Sequence, residues 1–213
     1  MKLYKCVIFD CDGVLVDSEP LSNQVLADMT NELGGKIDLE YALTHFKGGS
    51  MQSCYDKIAK LVPQPLPNNF KEMYRERSFE LFKKALKPID GVPQLLEELN
   101  LPFGVASSGT KEKIIHNLAL TGLSPYFETN IFSCYEIQKW KPDPDVFLWA
   151  AKTMGYHPEE CVVIEDSLTG VTAARAGGFD VFGFVAHDYN NELPAVATHT
   201  FQHMQELREY LVN

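Results

Sequence analysis

The apolar run LYKCVIF at residues 3–9 is followed directly by two carboxylates, Asp10 and Asp12. An apolar run of this length predicts a strand that is buried on both faces. Because side chains two residues apart on a strand point the same way, Asp10 and Asp12 are directed into one place if the strand geometry persists. Two like charges held close together repel, and one tends to stay protonated unless a cation neutralises them. The pair therefore either costs stability or serves a site.

The rest of the chain shows two different patterns. Residues 17–87 predict one helix after another with no convincing strand, starting with apolar residues at every fourth position from Leu21 to Leu33. From Pro88 onward, the apolar runs FGVAS, TNIFS, CVVIE and DVFGF alternate with helical segments. This alternation predicts a parallel sheet with helices on both faces. The first strand is expected in the same sheet, because a single strand cannot stand alone.

The predicted fold class is therefore α/β, with a Rossmann-like doubly wound parallel sheet as its core. An α-helical cap is inserted after the first strand. The expected boundaries are residues 1–16 plus 88–213 for the α/β core and residues 17–87 for the insertion.

Composition narrows the classes of partner. The chain has 29 Asp and Glu residues against 19 Lys and Arg, a net charge of −10, which argues against nucleic acid and against an anionic membrane surface. The five cysteines are scattered with no zinc-binding pattern, and several lie in apolar runs, which favours reduced thiols and a cytoplasmic location. We expect no signal peptide, because the first apolar run is short and ends in acids. We expect no membrane span, because no segment approaches about 20 apolar residues. A monomer is the default expectation.

Polar side chains follow the predicted strands at the edge where doubly wound sheets bind ligands. Ser107 and Ser108 come after FGVAS, Glu165 and Asp166 come at the end of CVVIE, and Lys141 lies just before a helix. Carboxylate oxygens are the ligands that Mg²⁺ prefers. A lysine and the amides of a helix N-terminus suit phosphate oxygens. Together with the acid pair of the first strand, these residues predict a site for a metal and a phosphate.

Each of these residues also has a plainer interpretation. Ser107 or Ser108 could cap the following helix, Lys141 could be a solvated loop lysine, and Asp166 or Ser167 could be a helix cap. Helix capping does not explain both acids of DCDG, Asp10 and Asp12. The joint occurrence of all these residues, in order, at the ends of different strands favours the site.

Four segments resemble the ordered motifs of the haloacid dehalogenase-like superfamily: FDCDGVLVDSE, VASSG, KPDP and VVIEDSLTG. The helical insertion resembles the cap of the β-phosphoglucomutase-like and phosphoglycolate phosphatase-like branch. Within that branch, FKG in the insertion and IQKWKPDP in the core look similar to the bacterial 6-phosphogluconate phosphatase type.

The resemblance implies roles for the matched residues. Asp10 resembles the nucleophile that forms an aspartyl phosphate. Asp12 resembles the general acid–base, which protonates the leaving group and then activates water. Mg²⁺ would be held by Asp10, by the main-chain carbonyl of Asp12 and by Asp166, with Glu165 coordinating or acting through water.

Substrate binding is implied in the same way. Ser107, with its neighbour Ser108, and Lys141 would bind the phosphoryl group. The expected activity is that of a Mg²⁺-dependent phosphatase acting on a small phosphomonoester, a sugar or sugar-acid phosphate. The cap would read the leaving group. The cationic residues of the cap that could bind a substrate carboxylate or hydroxyls are Lys47, Arg75 and Arg77. Each of them is explained equally well as a residue of a solvated helix face.

Three alternatives remain. A β-phosphoglucomutase-type mutase is disfavoured, because Ser22 and Met51 stand where such mutases carry a His and an Arg. A halidohydrolase lacks the second acid and needs no metal. A non-catalytic phospho-acceptor or sugar-phosphate sensor belongs to another class, but signalling receivers have no helical insertion and carry the acceptor on a middle strand.

Overall fold

The structure, a computed structural model, describes residues 2–46 and 51–212. By its internal contacts the chain divides into two compact units, Met1–Val16 with Lys87–Asn213, and Asp17–Leu86. Among the described residues, no helix has both the length and the apolar character needed to cross a membrane.

The first unit contains a six-stranded sheet in which every pairing is parallel, in the order β3-β2-β1-β4-β5-β6. The strands are β1 (Cys6–Phe9), β2 (Phe103–Ser107), β3 (Ile131–Ser133), β4 (Cys161–Glu165), β5 (Asp180–Phe184) and β6 (His199–Phe201). From β1 the chain builds outward to β3, then returns to place β4 on the other side of β1. The carboxyl ends of β1 and β4 therefore flank the switch point at which doubly wound sheets bind ligands. The predicted fold class is confirmed.

The register of these two central strands aligns their carboxyl ends. Phe9 of β1 pairs with Ile164 of β4, and the Asp10 amide donates to the Ile164 carbonyl at 2.9 Å. Every residue of both strands is buried, as expected of a sheet that is covered on both faces. The residues that follow the two strands consequently start side by side.

Within the α/β unit, helices connect the strands and pack on the sheet. The insertion comprises α1 (Glu19–Glu32), α2 (Leu39–Phe46), α3 (Met51–Leu61) and α4 (Phe70–Ala85). The α/β unit comprises α5 (Val92–Glu98), α6 (Lys111–Leu120), α7 (Cys134–Ile137), α8 (Asp145–Met154), α9 (Leu168–Ala176) and α10 (Arg208–Leu211). Short 3₁₀ turns lie at Ser124–Tyr126, Pro158–Glu160, Leu193–Ala195 and Met204–Leu207.

The helical unit has an apolar core of its own, which includes Met29, Ile58 and Phe70. The turn after α1 is closed by one side chain: the Asn31 amide nitrogen donates to the Ile37 carbonyl at 2.7 Å, and the Asn31 oxygen accepts from the Ile37 amide at 2.9 Å. The sequence also predicts Ser50 as the cap of a helix that runs to about Leu61. Ser50 and the candidate Lys47 lie outside the described residues.

The structure differs from the sequence predictions at the start of α8 and in three short elements. The segment DPDVFLWAAKTMG predicts a helix with Asp143 at the cap and Pro144 at its first position. In the structure, α8 begins at Asp145 with Pro144 in the cap position and no side-chain cap, so the predicted cap is wrong. The short elements β6, α7 and α10 had no sequence prediction, because three or four residues are too few to show a period. In α7 the cap is a reciprocal pair between Ser133 and Glu136.

Replacement of Phe147 by Ala tests the packing of α8 on the sheet. Phe147 is fully buried and meets the ring of Phe179 edge-on, with centroids 6.2 Å apart. We expect Phe147→Ala to lower the free energy of unfolding by about 3–5 kcal/mol, measured by urea denaturation. Leu148→Ala removes a more exposed neighbour and should change it by about 0.5 kcal/mol or less. Equal losses in the two variants would contradict the assigned packing.

Candidate active site

Lys141 lies at the centre of the predicted site. Its side chain is only 5% exposed, and its ammonium donates to Asp10 Oδ1 at 2.6 Å, to Glu165 Oε1 at 2.8 Å and to the carbonyl of Ala106 at 3.2 Å. These three acceptors match the three donors of an ammonium group. The ammonium also lies 4.7 Å from the centroid of the Phe147 ring. Lys141 is therefore not a solvated loop lysine, and it joins the ends of β1, β2 and β4.

Glu165 is fixed by the loop that follows it. Its side chain is 1% exposed, and Oε2 accepts from the amide of Asp166 at 2.8 Å and from the amide and hydroxyl of Ser167 at 2.8 and 2.9 Å. The Ser167 hydroxyl also accepts from the Gly170 amide, which makes Ser167 the cap of α9. Both oxygens of Glu165 thus accept hydrogen bonds from protein groups. This arrangement favours a role in holding Lys141 over direct contact with a metal.

Two glycines make this packing possible, and neither is among the residues predicted for the site. A Cβ on Gly170 would lie 1.7 Å from Glu165 Oε1. A Cβ on Gly13, whose φ is +81°, would lie 2.3 Å from Asp166 Oδ2. The sequence signal for Gly13 is the DG of DCDG, which indicates a turn with a positive φ. The signal for Gly170 is a glycine in the first turn of a helix, where glycine costs stability relative to alanine.

Asp12 has different hydrogen-bond partners from Asp10. The strand ends at Phe9, and Asp12 Oδ2 accepts from Lys113 Nζ at 2.7 Å while its Oδ1 accepts from Asn117 Nδ2 at 3.3 Å. Lys113 and Asn117 belong to α6 and were not predicted as site residues. The two acids are therefore paired with different lysines, so their mutual repulsion does not by itself require a metal.

The serines after β2 differ from each other. Ser107 is buried and its hydroxyl accepts from the Gly109 amide at 3.1 Å, whereas Ser108 is exposed and its hydroxyl lies 3.9 Å from the sulfur of Cys134. Neither caps α6, because Thr110 does so by accepting from the Lys113 amide. The plainer interpretation of both serines as helix caps is wrong.

Three buried carboxyl groups, those of Asp10, Glu165 and Asp166, lie around the single ammonium of Lys141. Burial raises the pKa of Asp10 well above its usual value, Lys141 lowers it, and the charges of Glu165 and Asp166 raise it further. Burial alone would lower the pKa of Lys141, but Asp10 and Glu165 raise it above its usual value. The cluster therefore carries a surplus of negative charge that an added cation would relieve.

The residues present fit a magnesium ion in this position. Among the described residues, no three His, Cys, Asp or Glu side chains converge as a ligand group. The predicted set needs only two carboxylates, Asp10 and Asp166, with the main-chain carbonyl of Asp12. Mg²⁺ is commonly held by one or two carboxylates, with water and substrate oxygens completing the shell. Gly13 leaves room for the Asp166 carboxylate beside the loop that carries this carbonyl.

The cationic candidates of the insertion are placed as follows. Arg77 donates to Glu32 Oε1 at 2.7 Å, in an ion pair within the helical unit. Arg75 is exposed on α4, and Lys47 lies outside the described residues. The pairing of Arg77 with Glu32 favours the interpretation of this residue as part of a solvated helix face.

A family model provides the observation that decides the classification. The model described as haloacid dehalogenase-like hydrolase matches residues 7–184. The chain belongs to the haloacid dehalogenase-like hydrolase family. This confirms the predicted family and the prediction that the chain is an enzyme.

Individual members of this hydrolase family are similar over nearly the whole chain. The 6-phosphogluconate phosphatase of Escherichia coli K12 is 33% identical over 210 residues, which cover 98% of this chain and 95% of that protein. The crystal structure of a haloacid dehalogenase-like protein from Agrobacterium tumefaciens is 31% identical with a TM-score of 0.89, covering 97% and 96% of the two chains. A family hydrolase from Deinococcus radiodurans, solved with bound phosphate and sodium, is 29% identical with a TM-score of 0.81, covering 96% and 93%.

The raised pKa of Asp10 predicts a pH-dependent stability in EDTA. The folded protein holds the Asp10 proton more tightly than the unfolded chain, so this contribution is fully present below the unfolded pKa of about 4. It is lost as pH rises through the raised folded pKa. Relative to Asp10→Asn, the wild type should become progressively less stable in urea denaturation as the pH rises from the unfolded pKa of about 4 towards the raised folded pKa.

Asp90→Asn serves as the control for this prediction, because it removes an exposed carboxylate from the same unit. A difference between wild type and Asp10→Asn that stays constant across the pH range would contradict the raised pKa.

Proposed function

We propose that this hydrolase is a Mg²⁺-dependent phosphatase that cleaves a small phosphomonoester, a sugar or sugar-acid phosphate, through an aspartyl phosphate. The observation that carries the proposal is the Asp10 carboxylate at the switch point of the sheet, hydrogen-bonded to the buried ammonium of Lys141. The phosphatase activity named for the Escherichia coli relative supports the substrate class. The phosphate bound to the Deinococcus relative supports the proposal that the site of this chain binds phosphate.

In the first step, a carboxylate oxygen of Asp10 forms a bond to phosphorus while the bond from phosphorus to the leaving oxygen breaks. Asp12 transfers its proton to that oxygen, so the alcohol leaves as a neutral molecule. Lys141 and the Ser107 hydroxyl bind oxygens of the transferring phosphoryl group. The Lys141 ammonium also reduces the repulsion between the phosphate and Asp10, because it lies 2.6 Å from the Asp10 oxygen.

In the second step, a water oxygen attacks the phosphorus of the aspartyl phosphate. Asp12, now a carboxylate, takes a proton from that water as the bond between phosphorus and Asp10 breaks. Inorganic phosphate leaves, and both acids return to their starting states.

Mg²⁺ would be held by Asp10, the Asp12 carbonyl and Asp166, and when bound it would stabilise negative charge on the phosphoryl oxygens. Glu165 acts through Lys141 and through the loop that carries Asp166, as its hydrogen bonds favour. Exposed Ser108 belongs to the rim of the phosphate site. The helical insertion, predicted at residues 17–87, serves as the cap that selects the leaving group.

The phosphatase is preferred to a mutase. A mutase must preserve its aspartyl phosphate until a sugar hydroxyl returns to it, and Ser22 and Met51 replace the His and Arg expected for that reaction. Cytoplasmic location and a monomeric state stay predictions. All five cysteines are buried free thiols, in keeping with a reducing compartment.

Release of phosphate tests the proposal. The purified chain with Mg²⁺ should release phosphate from hexose phosphates or 6-phosphogluconate, lose the activity in EDTA and regain it with excess Mg²⁺. Asp10→Asn should release none because it lacks the nucleophile, whereas Asp90→Asn should behave as the wild type.

Activity that survives Asp10→Asn would exclude Asp10 as the nucleophile, and indifference to EDTA would exclude the metal. Conversion of β-glucose 1-phosphate to glucose 6-phosphate, without release of phosphate, would establish the mutase instead.

A further inference from the structure

Helix α6 presents two polar side chains to the carboxylate of Asp12. Lys113 and Asn117 are four residues apart and so lie on one face of the helix. Lys113 Nζ donates to Asp12 Oδ2 at 2.7 Å, and Asn117 Nδ2 donates to Asp12 Oδ1 at 3.3 Å. Each Asp12 oxygen thus has its own donor, and the two contacts together restrain both side-chain torsions of Asp12.

Asn117 occupies a position where packing alone would favour an apolar residue. It is fully buried, as are its helix neighbours Ile114 and Leu118. Within the described part of the chain, its Oδ1 atom has no hydrogen-bond partner. Burial of an amide with an unsatisfied oxygen costs stability. The contact between Nδ2 and Asp12 gives this residue a use that packing does not.

Lys113 is held both by its backbone amide and by its side-chain ammonium. Its amide donates to Thr110 Oγ1 in the cap of α6, and its ammonium reaches Asp12. Its Cδ lies beside the loop after β2, since a Cβ on Gly109 would be 3.5 Å from that atom, 3.5 Å from Ser107 Oγ and 3.8 Å from Asp12 Oδ2. The contact between Lys113 and Asp12 therefore lies next to the serine assigned to phosphoryl binding.

We infer that Lys113 and Asn117 are positioning residues that hold the Asp12 carboxylate in its acid–base orientation. The inference rests on the proposed phosphatase activity and deepens it. Neither residue touches the reacting atoms in this account; both act through Asp12. Proton transfer depends strongly on the geometry of donor and acceptor, so a freely rotating Asp12 would protonate the leaving group poorly.

The nature of the leaving group separates this role from a structural one. A sugar alkoxide is strongly basic and must be protonated as it leaves, whereas p-nitrophenolate is a weak base that leaves with little help. Loss of acid catalysis therefore slows a sugar phosphate more than p-nitrophenyl phosphate. A general loss of active-site structure slows both substrates alike.

The experiment compares kcat/KM for p-nitrophenyl phosphate and for the sugar phosphate that the wild type hydrolyses fastest. For Lys113→Met we expect a loss of about 10²-fold on the sugar phosphate and of less than about tenfold on the aryl phosphate. Lys113→Arg, which keeps a charged donor, should recover part of the loss. Lys111→Met is the matched control on the same helix, since Lys111 pairs with Glu136 and not with Asp12.

Circular dichroism shows whether Lys113→Met is folded, and a second variant provides the test if it is not. Asn117→Leu preserves a buried side chain of similar size and should show the same selective loss. Equal losses on both substrates, or a gain on the sugar phosphate, would overturn the positioning role. If the wild type releases phosphate from neither substrate, the proposed function itself fails.

Discussion

The buried ion pair between Lys141 and Asp10 is the interaction on which the site depends. It forms because β1 and β4 are paired in a register that aligns their carboxyl ends, and because Glu165 accepts from the same ammonium. Glu165 is in turn held by the amides of its own loop, and Gly170 provides the space for its carboxylate. The strand pairing, the loop and the start of α9 thus jointly determine where the nucleophile lies.

This arrangement trades stability for chemistry. Burial raises the pKa of Asp10, Lys141 lowers it, and the charges of Glu165 and Asp166 raise it again. Strongly perturbed pKa values of this kind cluster at functional sites. The same surplus of negative charge makes the position suitable for a cation that accompanies a phosphate. A bound Mg²⁺ and the phosphate of the substrate would each offset the charge of the other.

The sequence predicted the sheet well, because strands buried on both faces are uninterrupted apolar runs, and it placed Asp10 and Asp166 at the ends of those runs. Lys141 was predicted on a different basis, from its position just before a helix. It could not predict that Asp12 turns towards α6, since the loop after β1 follows no period. Lys113 and Asn117 were missed for a related reason: a lysine and an asparagine in an amphipathic helix have no distinguishing pattern. Their contact with Asp12 joins segments that are far apart in the chain.

The most direct test of the account is to look for the phosphoryl group on Asp10. The variant Asp12→Asn should transfer phosphate from p-nitrophenyl phosphate, whose leaving group needs little protonation, but should not activate the water that releases it. After acid quenching, mass spectrometry should then find one phosphoryl group on the peptide that contains Asp10, and none when EDTA replaces Mg²⁺. Release of p-nitrophenol with no phosphoryl group on that peptide would contradict the central claim.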